Sequence, residues 1–216
     1  MRQHNARVLL SASDLNTFLG CHHASALDYR HAILGEALTP ADSDEGQKLV
    51  QRHGFEHEQR HFETLQCAAV GEVVRVGQGD VEEGRRQTES AIRRGAHLIF
   101  QGVLADHGSW HGYADFLVRT DTPSALGPWS YEVHDTKLAR KLKAKFAIQL
   151  AVYSDLVAKC QGVTPPALCV ALGDGTVETL QAQEVIHYVR HAMRRLMERQ
   201  VSQRTSPLVI NPCGDI

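Results

Sequence analysis

The stretch WSYEVHDTKLAR, residues 129–140, decides the fold. In its YEVHDTK portion successive side chains turn to opposite faces, as on a β-strand. Tyr131, Val133, Asp135 and Lys137 share one face; Glu132, His134 and Thr136 share the other. An acid and a lysine therefore point the same way at the end of a strand whose start is apolar on that face.

The pattern continues outward in both directions. Upstream, HLIFQGVLA (97–105) and WHGYADFLVR (110–119) are two more strand signals. The turn-rich segments DHGS and TDTPSALGP separate the three, which predicts an antiparallel meander. Before them, GEVVRVGQG (71–79) reads as a glycine-bounded strand. Asp80 to Gly95 reads as a charged surface helix with Ala91 and Ile92 as its apolar residues. A longer helix runs from about Asp44 to Cys67, marked by Val50, Phe55, Phe62 and Leu65. Ser11 to Leu19 forms a short helix with Ser11 or Ser13 as N-cap and Asp14 in its first turn. Downstream, a helix spans Ala139 to Lys159, and Pro165-Pro166 breaks the chain before the strand ALCVALG (167–173). DGTVETLQ continues as turn and strand, and a last helix covers Gln183 to Val201, with Val185, Val189, Met193, Leu196 and Met197 as its apolar face. The order predicts an α/β fold with a mixed central sheet flanked by helices.

At 216 residues the chain is long enough to bury a core as one domain, residues 1–216. With 43% hydrophobic and 22% charged residues it has the composition of a globular protein. The net charge of −2 supplies no global basic field, so a nucleic-acid partner needs a local patch. The five cysteines are scattered without a CxxC pair, so neither a disulfide framework nor a zinc knuckle follows. No apolar run is long enough to span a membrane, and no secretory signal is visible. Both point to the cytoplasm as the compartment.

Asp115 lies after Gly112 inside the apolar run YADFLV on the strand before Asp135. A lone buried carboxylate is costly and needs a partner. A divalent cation shared by Asp115 and Asp135 would supply one, and oxygen ligands of this kind suit Mg²⁺ or Mn²⁺. Lys137 can then neutralise charge developing on a phosphate. The same three residues equally fit a buried salt bridge. On the next helix Lys141, Lys145, Gln149 and Tyr153 recur every four residues and so line one row. Arg140, Lys141, Lys143 and Lys145 form an acid-free basic patch suited to a phosphate backbone. A solvated lysine face is the alternative, although Gln149 and Tyr153 sit within the apolar stretch FAIQLAVYSDLV.

Taken in order, Gly54-x-x-His57, Gly112-x-x-Asp115, Asp135-Thr136-Lys137 and Gln149-x-x-x-Tyr153 resemble the motifs of the RecB-like nucleases of the PD-(D/E)XK superfamily. The segment 129–140 resembles a bacterial subgroup often fused to helicase-type regions. The likeness covers about Ser11 to Gly175. It implies a restriction-endonuclease-like core and a Mg²⁺- or Mn²⁺-dependent hydrolase of phosphodiester bonds in nucleic acid, DNA in the first instance. Its settings are repair, recombination or defence, with a helicase as possible partner. It makes His57, Asp115 and Asp135 the metal ligands, Asp115, Asp135 and Lys137 the catalytic set, and Gln149 and Tyr153 the substrate-side motif. Lys141 and Lys145 join that motif on the substrate strand, and Glu58 becomes an additional ligand or a supporting group. Two features depart from the family. Ala114 replaces its proline, and the cysteines do not complete the iron–sulfur set of many relatives. Cys21 and Cys213 stand at plausible ends, but two C-terminal partners are missing, and Cys160 and Cys169 read as buried thiols, so no cluster is expected here. The ending SPLVINPCGDI reads as a shortened C-terminus.

Two other function classes remain. One is a binding module with the same fold that does not cleave. The other is a zinc peptidase, because His57-Glu58-Gln59-Arg60-His61 spells HExxH on a helix. With 13 histidines in the chain, a chance match is easily had. The zinc reading also leaves Asp115, Asp135, Lys137 and Gln149 without a role. His53 and His61 are expected to be solvated.

Overall fold

The computed structural model describes residues 1–4, 7–37, 45–77, 79–106 and 108–205. Asp44, where the long helix was expected to start, and Cys213 lie outside the described residues. The centre is a six-stranded mixed sheet. In spatial order it contains β3 (Val73–Arg75), β4 (Leu98–Ala105), β5 (His111–Thr120), β6 (Ser130–Lys137), β7 (Ala167–Leu172) and β8 (Val177–Gln181). Strands β4, β5 and β6 form the antiparallel meander that the turn signals imply. β3 joins β4 in parallel, β7 joins β6 in parallel, and β8 returns antiparallel on β7. A small hairpin, β1 (Arg2–His4) and β2 (Arg7–Leu9), precedes the sheet.

The helices are α1 (Ala12–Gly20), α2 (His22–Leu34), α3 (Glu45–Ala68), α4 (Val81–Arg94), α5 (Ala144–Gln161) and α6 (Ile186–Thr205). Sequence periodicity misses α2, because it buries only Ser25, Ala26 and Tyr29 and shows no apolar stripe. α1 begins with a full capping box, in which the Ser11 hydroxyl serves Asp14 N–H and the Asp14 carboxylate serves Ser11 N–H. α4 is capped by Asp80, carries Glu82 and Glu83 in its first turn and Arg93 and Arg94 in its last, and so complements its own dipole. The strand expected across residues 71–79 is only three residues long.

Register assigns the two faces of the sheet. Ile99 pairs with Leu117, and Leu117 with Val133, so these three face one way into the main core with α4 and α5. Phe100 pairs with Phe116, Phe116 with His134, and His134 with Cys169. This second row faces α3, whose Phe62 completes a smaller aromatic cluster with Phe100 and Phe116.

β6 is paired in a staggered way. Its ladder with β5 covers Ser130 to His134, and its ladder with β7 covers Val133 to Lys137. Each end therefore has backbone groups with no strand beside them, and burying those unpaired is costly. At the start, the wholly buried Gln161 amide accepts from Tyr131 N–H (2.7 Å) and donates to Tyr131 C=O (3.2 Å). At the end, the Asp115 carboxylate takes over the same duty.

α5 starts at Ala144, not at Ala139 as its sequence pattern indicates. The chain from Leu138 to Lys143 instead lies across the end of β7, where Gly173 N–H donates to Ala139 C=O (3.1 Å). A Cβ at Gly173 would sit 2.3 Å from Leu138 O, so only glycine admits this approach. Lys141 is consequently on this loop and off the row of Lys145, Gln149 and Tyr153.

Candidate functional site

Asp115 and Asp135 meet where β5 and β6 part. Continuing the register one step past Phe116↔His134 sets them opposite each other on one face. Asp135 is fully buried, and neither of its carboxylate oxygens has a hydrogen-bond partner. Lys137 Nζ stands 2.5 Å from Asp135 Oδ2, an ion pair by proximity that lacks hydrogen-bond alignment. Burial first, and the Asp115 carboxylate second, push the Asp135 carboxyl well above its ordinary value; Lys137 opposes them without prevailing.

Asp115 itself is held firmly. Its Oδ2 accepts from Thr136 N–H and from Thr136 Oγ1, each at 2.9 Å. Part of what the sequence assigned to a cation is thus met by the neighbouring strand. Face alternation alone would put Thr136 out of reach; the divergence of the two strands brings it in.

Glu58 on α3 joins this group. Burial and then the Asp115 charge raise its pKa, and it accepts a hydrogen bond from Gln101 Nε2 (3.1 Å). Gln101 adopts φ +55°, the one positive φ of a non-glycine residue among the described residues. Strain of this kind costs roughly 1–3 kcal/mol and persists where the surroundings enforce it. Gln101 is not marked by any side-chain period, although a polar residue before Gly102 within LIFQGVLA is the signal of an interrupted strand. Glu58, Gln101, Tyr113, Ala114 and Asp115, with Val76, line a cleft of about 340 Å³.

On α5, Tyr153 is buried and accepts a hydrogen bond from Gln149 Nε2 (3.2 Å). Burial, and then the Asp135 charge, raise its pKa. Its ring lies against Gly112, where a Cβ would come within 2.3 Å of Tyr153 Cε1. The glycine of Gly112-x-x-Asp115 therefore makes room for the tyrosine of Gln149-x-x-x-Tyr153. Gly54 has no such constraint, since its nearest neighbour would be Leu138 Cδ1 at 4.0 Å. Lys137 Nζ and Lys145 Nζ each lie 5.6 Å from the Phe146 ring centroid, so Lys145 flanks the same mouth. Arg140, Lys141, Lys143 and Lys145 are exposed. The arginines of α4 are engaged: Arg85 pairs with Glu82 and Glu89, Arg86 with Glu83, and Arg94 with Glu72.

His57 is not with the aspartates. It is buried, with Nε2 3.1 Å from the carbonyl of Ala171 on β7. Thr136 pairs with Ala171, on the α3 side, whereas Asp135 and Val170 face α5. Among the described residues, His57, Asp115 and Asp135 do not bring three ligand atoms within 4.8 Å of one another. Glu58, the next residue of α3, lines the cleft beside Asp115, but with Asp115 and Asp135 it likewise does not bring three ligand atoms within that distance of one another. The HExxH histidines gather no third ligand either. His53 is exposed beside Glu56, as expected. His61 is half-buried and edge-on to Phe116 rather than solvated, because α3 is pressed onto the sheet at Phe62.

The donor set fits a hard divalent cation: Asp135 is a buried carboxylate without a hydrogen-bond donor, met only by the Lys137 ammonium, and Asp115 and Glu58 add oxygen donors nearby. No family model and no curated protein matches this chain. No helix among the described residues is long and apolar enough to cross a membrane.

Proposed function

We propose that this protein is a Mg²⁺- or Mn²⁺-dependent nuclease of the RecB-like, PD-(D/E)XK kind that hydrolyses phosphodiester bonds in nucleic acid, DNA in the first instance. One observation carries the reading: two carboxylates from adjacent strands confront each other, one buried without hydrogen bonds, with a lysine two residues on beside a basic loop. Like charges so placed repel unless a cation or a proton joins them.

Asp115 and Asp135 would hold the cation, with Glu58 or a reoriented His57 as third ligand. Such an ion would supply Lewis-acid polarisation and activate water for attack. The chain's own residues do the rest. Thr136 fixes the Asp115 carboxylate. Lys137, released from its pairing with Asp135, places positive charge where it develops on the phosphate. Lys141, Lys143 and Lys145 hold the backbone by charge alone, which favours no base sequence. Gln149 and Tyr153 offer neutral donors at the inner wall.

The test incubates end-labelled single- and double-stranded DNA with the protein in Mg²⁺ or Mn²⁺, beside Asp135→Asn. Cation-dependent cleavage lost in the variant supports the reading. Binding without cleavage in either cation would leave a nucleic-acid-binding module, and equal cleavage by both proteins would remove the chemistry from this site.

A further inference from the structure

The face of the sheet turned to α3 carries a second constellation. Glu132 and His134 on β6 and Cys169 on β7 bring a carboxylate oxygen, an imidazole nitrogen and a thiol sulfur within 4.8 Å of one another. The register explains why. His134 and Cys169 are direct partners in the parallel ladder, and Glu132 is two residues before His134, on the same face. None of the three belongs to the Asp115–Asp135 group, whose side chains face the other way.

The donor set is selective. A thiolate and an imidazole favour borderline-soft cations over Mg²⁺, and one carboxylate completes a set of the kind zinc accepts. A zinc ion bonds sulfur at ~2.3 Å and nitrogen or oxygen at ~2.0–2.2 Å, so ligands around one ion fit within the observed spread. Cys169 is buried, and its Sγ has a weak contact, 3.7 Å, with Thr179 Oγ1.

We propose that Glu132, His134 and Cys169 form a binding site for a zinc-type transition-metal cation that ties β6 to β7. Binding converts the Cys169 thiol to a thiolate and releases that proton to solvent; no redox change is involved. The site is independent of the nuclease reading and can stand or fall without it.

Co²⁺ is the probe, because a cobalt–thiolate bond gives a charge-transfer band in the near ultraviolet that oxygen sites lack. The full chain is stripped with chelator, returned to excess Mg²⁺ and titrated with Co²⁺ under reducing conditions. One equivalent with the thiolate band is expected, displaced by Zn²⁺. The band should persist in Asp135→Asn and in a variant with Cys21, Cys67, Cys160 and Cys213 all changed to serine. It should vanish in Cys169→Ser and weaken at least tenfold in affinity in His134→Ala. Absence of the band from the stripped wild-type chain, or its loss in the four-serine variant, overturns the site. So does its survival in Cys169→Ser. Should Cys169→Ser not fold, the four-serine variant alone decides.

Discussion

Thr136 donates twice to one oxygen of Asp115, through its backbone N–H and its hydroxyl, each at 2.9 Å. The carboxylate thereby stands in for a strand that has diverged from β6, and its second oxygen is left for the space shared with Asp135. Thr136→Val removes one of the two donors and keeps the shape. It is expected to weaken Mn²⁺ affinity about tenfold, as loss of a group supporting a ligand does, while the melting temperature shifts little. Isothermal titration and a thermal melt read the two quantities, and unchanged affinity would separate Thr136 from the site.

Lys137 and Asp135 form an ion pair that a bound cation would replace. Lys137→Ala is expected to retain fold and Mn²⁺ binding and to lose cleavage by about 10²-fold or more, the scale of removing one preorganised charge. Single-turnover cleavage beside a circular dichroism melt checks this. A variant that fails to fold would make the lysine structural.

The raised pKa of Asp135 sets the pH behaviour of the metal-free chain. The folded state binds a proton there more tightly than the unfolded state. Between the ordinary carboxylate pKa and the raised one, the native form carries the extra proton, so stability falls as pH rises through that window. Melts in chelator should therefore show a stability decline above the ordinary carboxylate range, and Asp135→Asn should flatten it. Metal affinity should run in the opposite sense, rising with pH as the competing proton leaves. A metal-free stability that climbs with pH through the same window, with the slope unchanged in Asp135→Asn, would contradict the assignment.

His57 and Glu58 are adjacent on α3 but serve different sides of it. If the cleft geometry holds with metal bound, Glu58→Gln should cost more Mn²⁺ affinity than His57→Ala. His57→Ala should instead lower stability by about 1–3 kcal/mol, the cost of leaving a buried hydrogen-bond partner unsatisfied and a cavity behind. The reverse order of affinities would restore His57 as the ligand that the family resemblance implies.

Gly112→Ala should be destabilising by roughly 1–3 kcal/mol, an overpacking penalty, because its methyl group would overlap the Tyr153 ring. Tyr153→Ala in the same chain should recover part of that loss. A double-mutant cycle on denaturant melts measures the coupling, and strict additivity would refute the contact.

Much of the central architecture was legible because the strands are apolar and bounded by turn residues, because Asp135 and Lys137 obey a two-residue period, and because Asp115 stands out as an acid within an apolar run. What escaped depends on tertiary circumstance. Lys141 fell off its helix because the end of β7 captures the preceding loop at Gly173. α2 escaped because it is buried through Ser25, Ala26 and Tyr29 without an apolar stripe. Gln101 and Thr136 escaped because a backbone kink and a strand divergence decide their reach, and no side-chain period encodes either. His57 was read as the ligand and Glu58 as an addition to it, because the facing of adjacent helix residues depends on how α3 lies across the sheet, which no sequence period encodes.

The clasps at the two ends of β6, Gln161 on Tyr131 and Asp115 on Thr136, have a consequence for how the chain can err. A slip of β6 by one position would exchange its faces, sending Asp135 and Lys137 toward the aromatic helix side and His134 toward Tyr153. Neither clasp could then close on its present partner. Correct threading of this strand and assembly of its chemistry are therefore a single event, and a misthreaded chain forfeits both together.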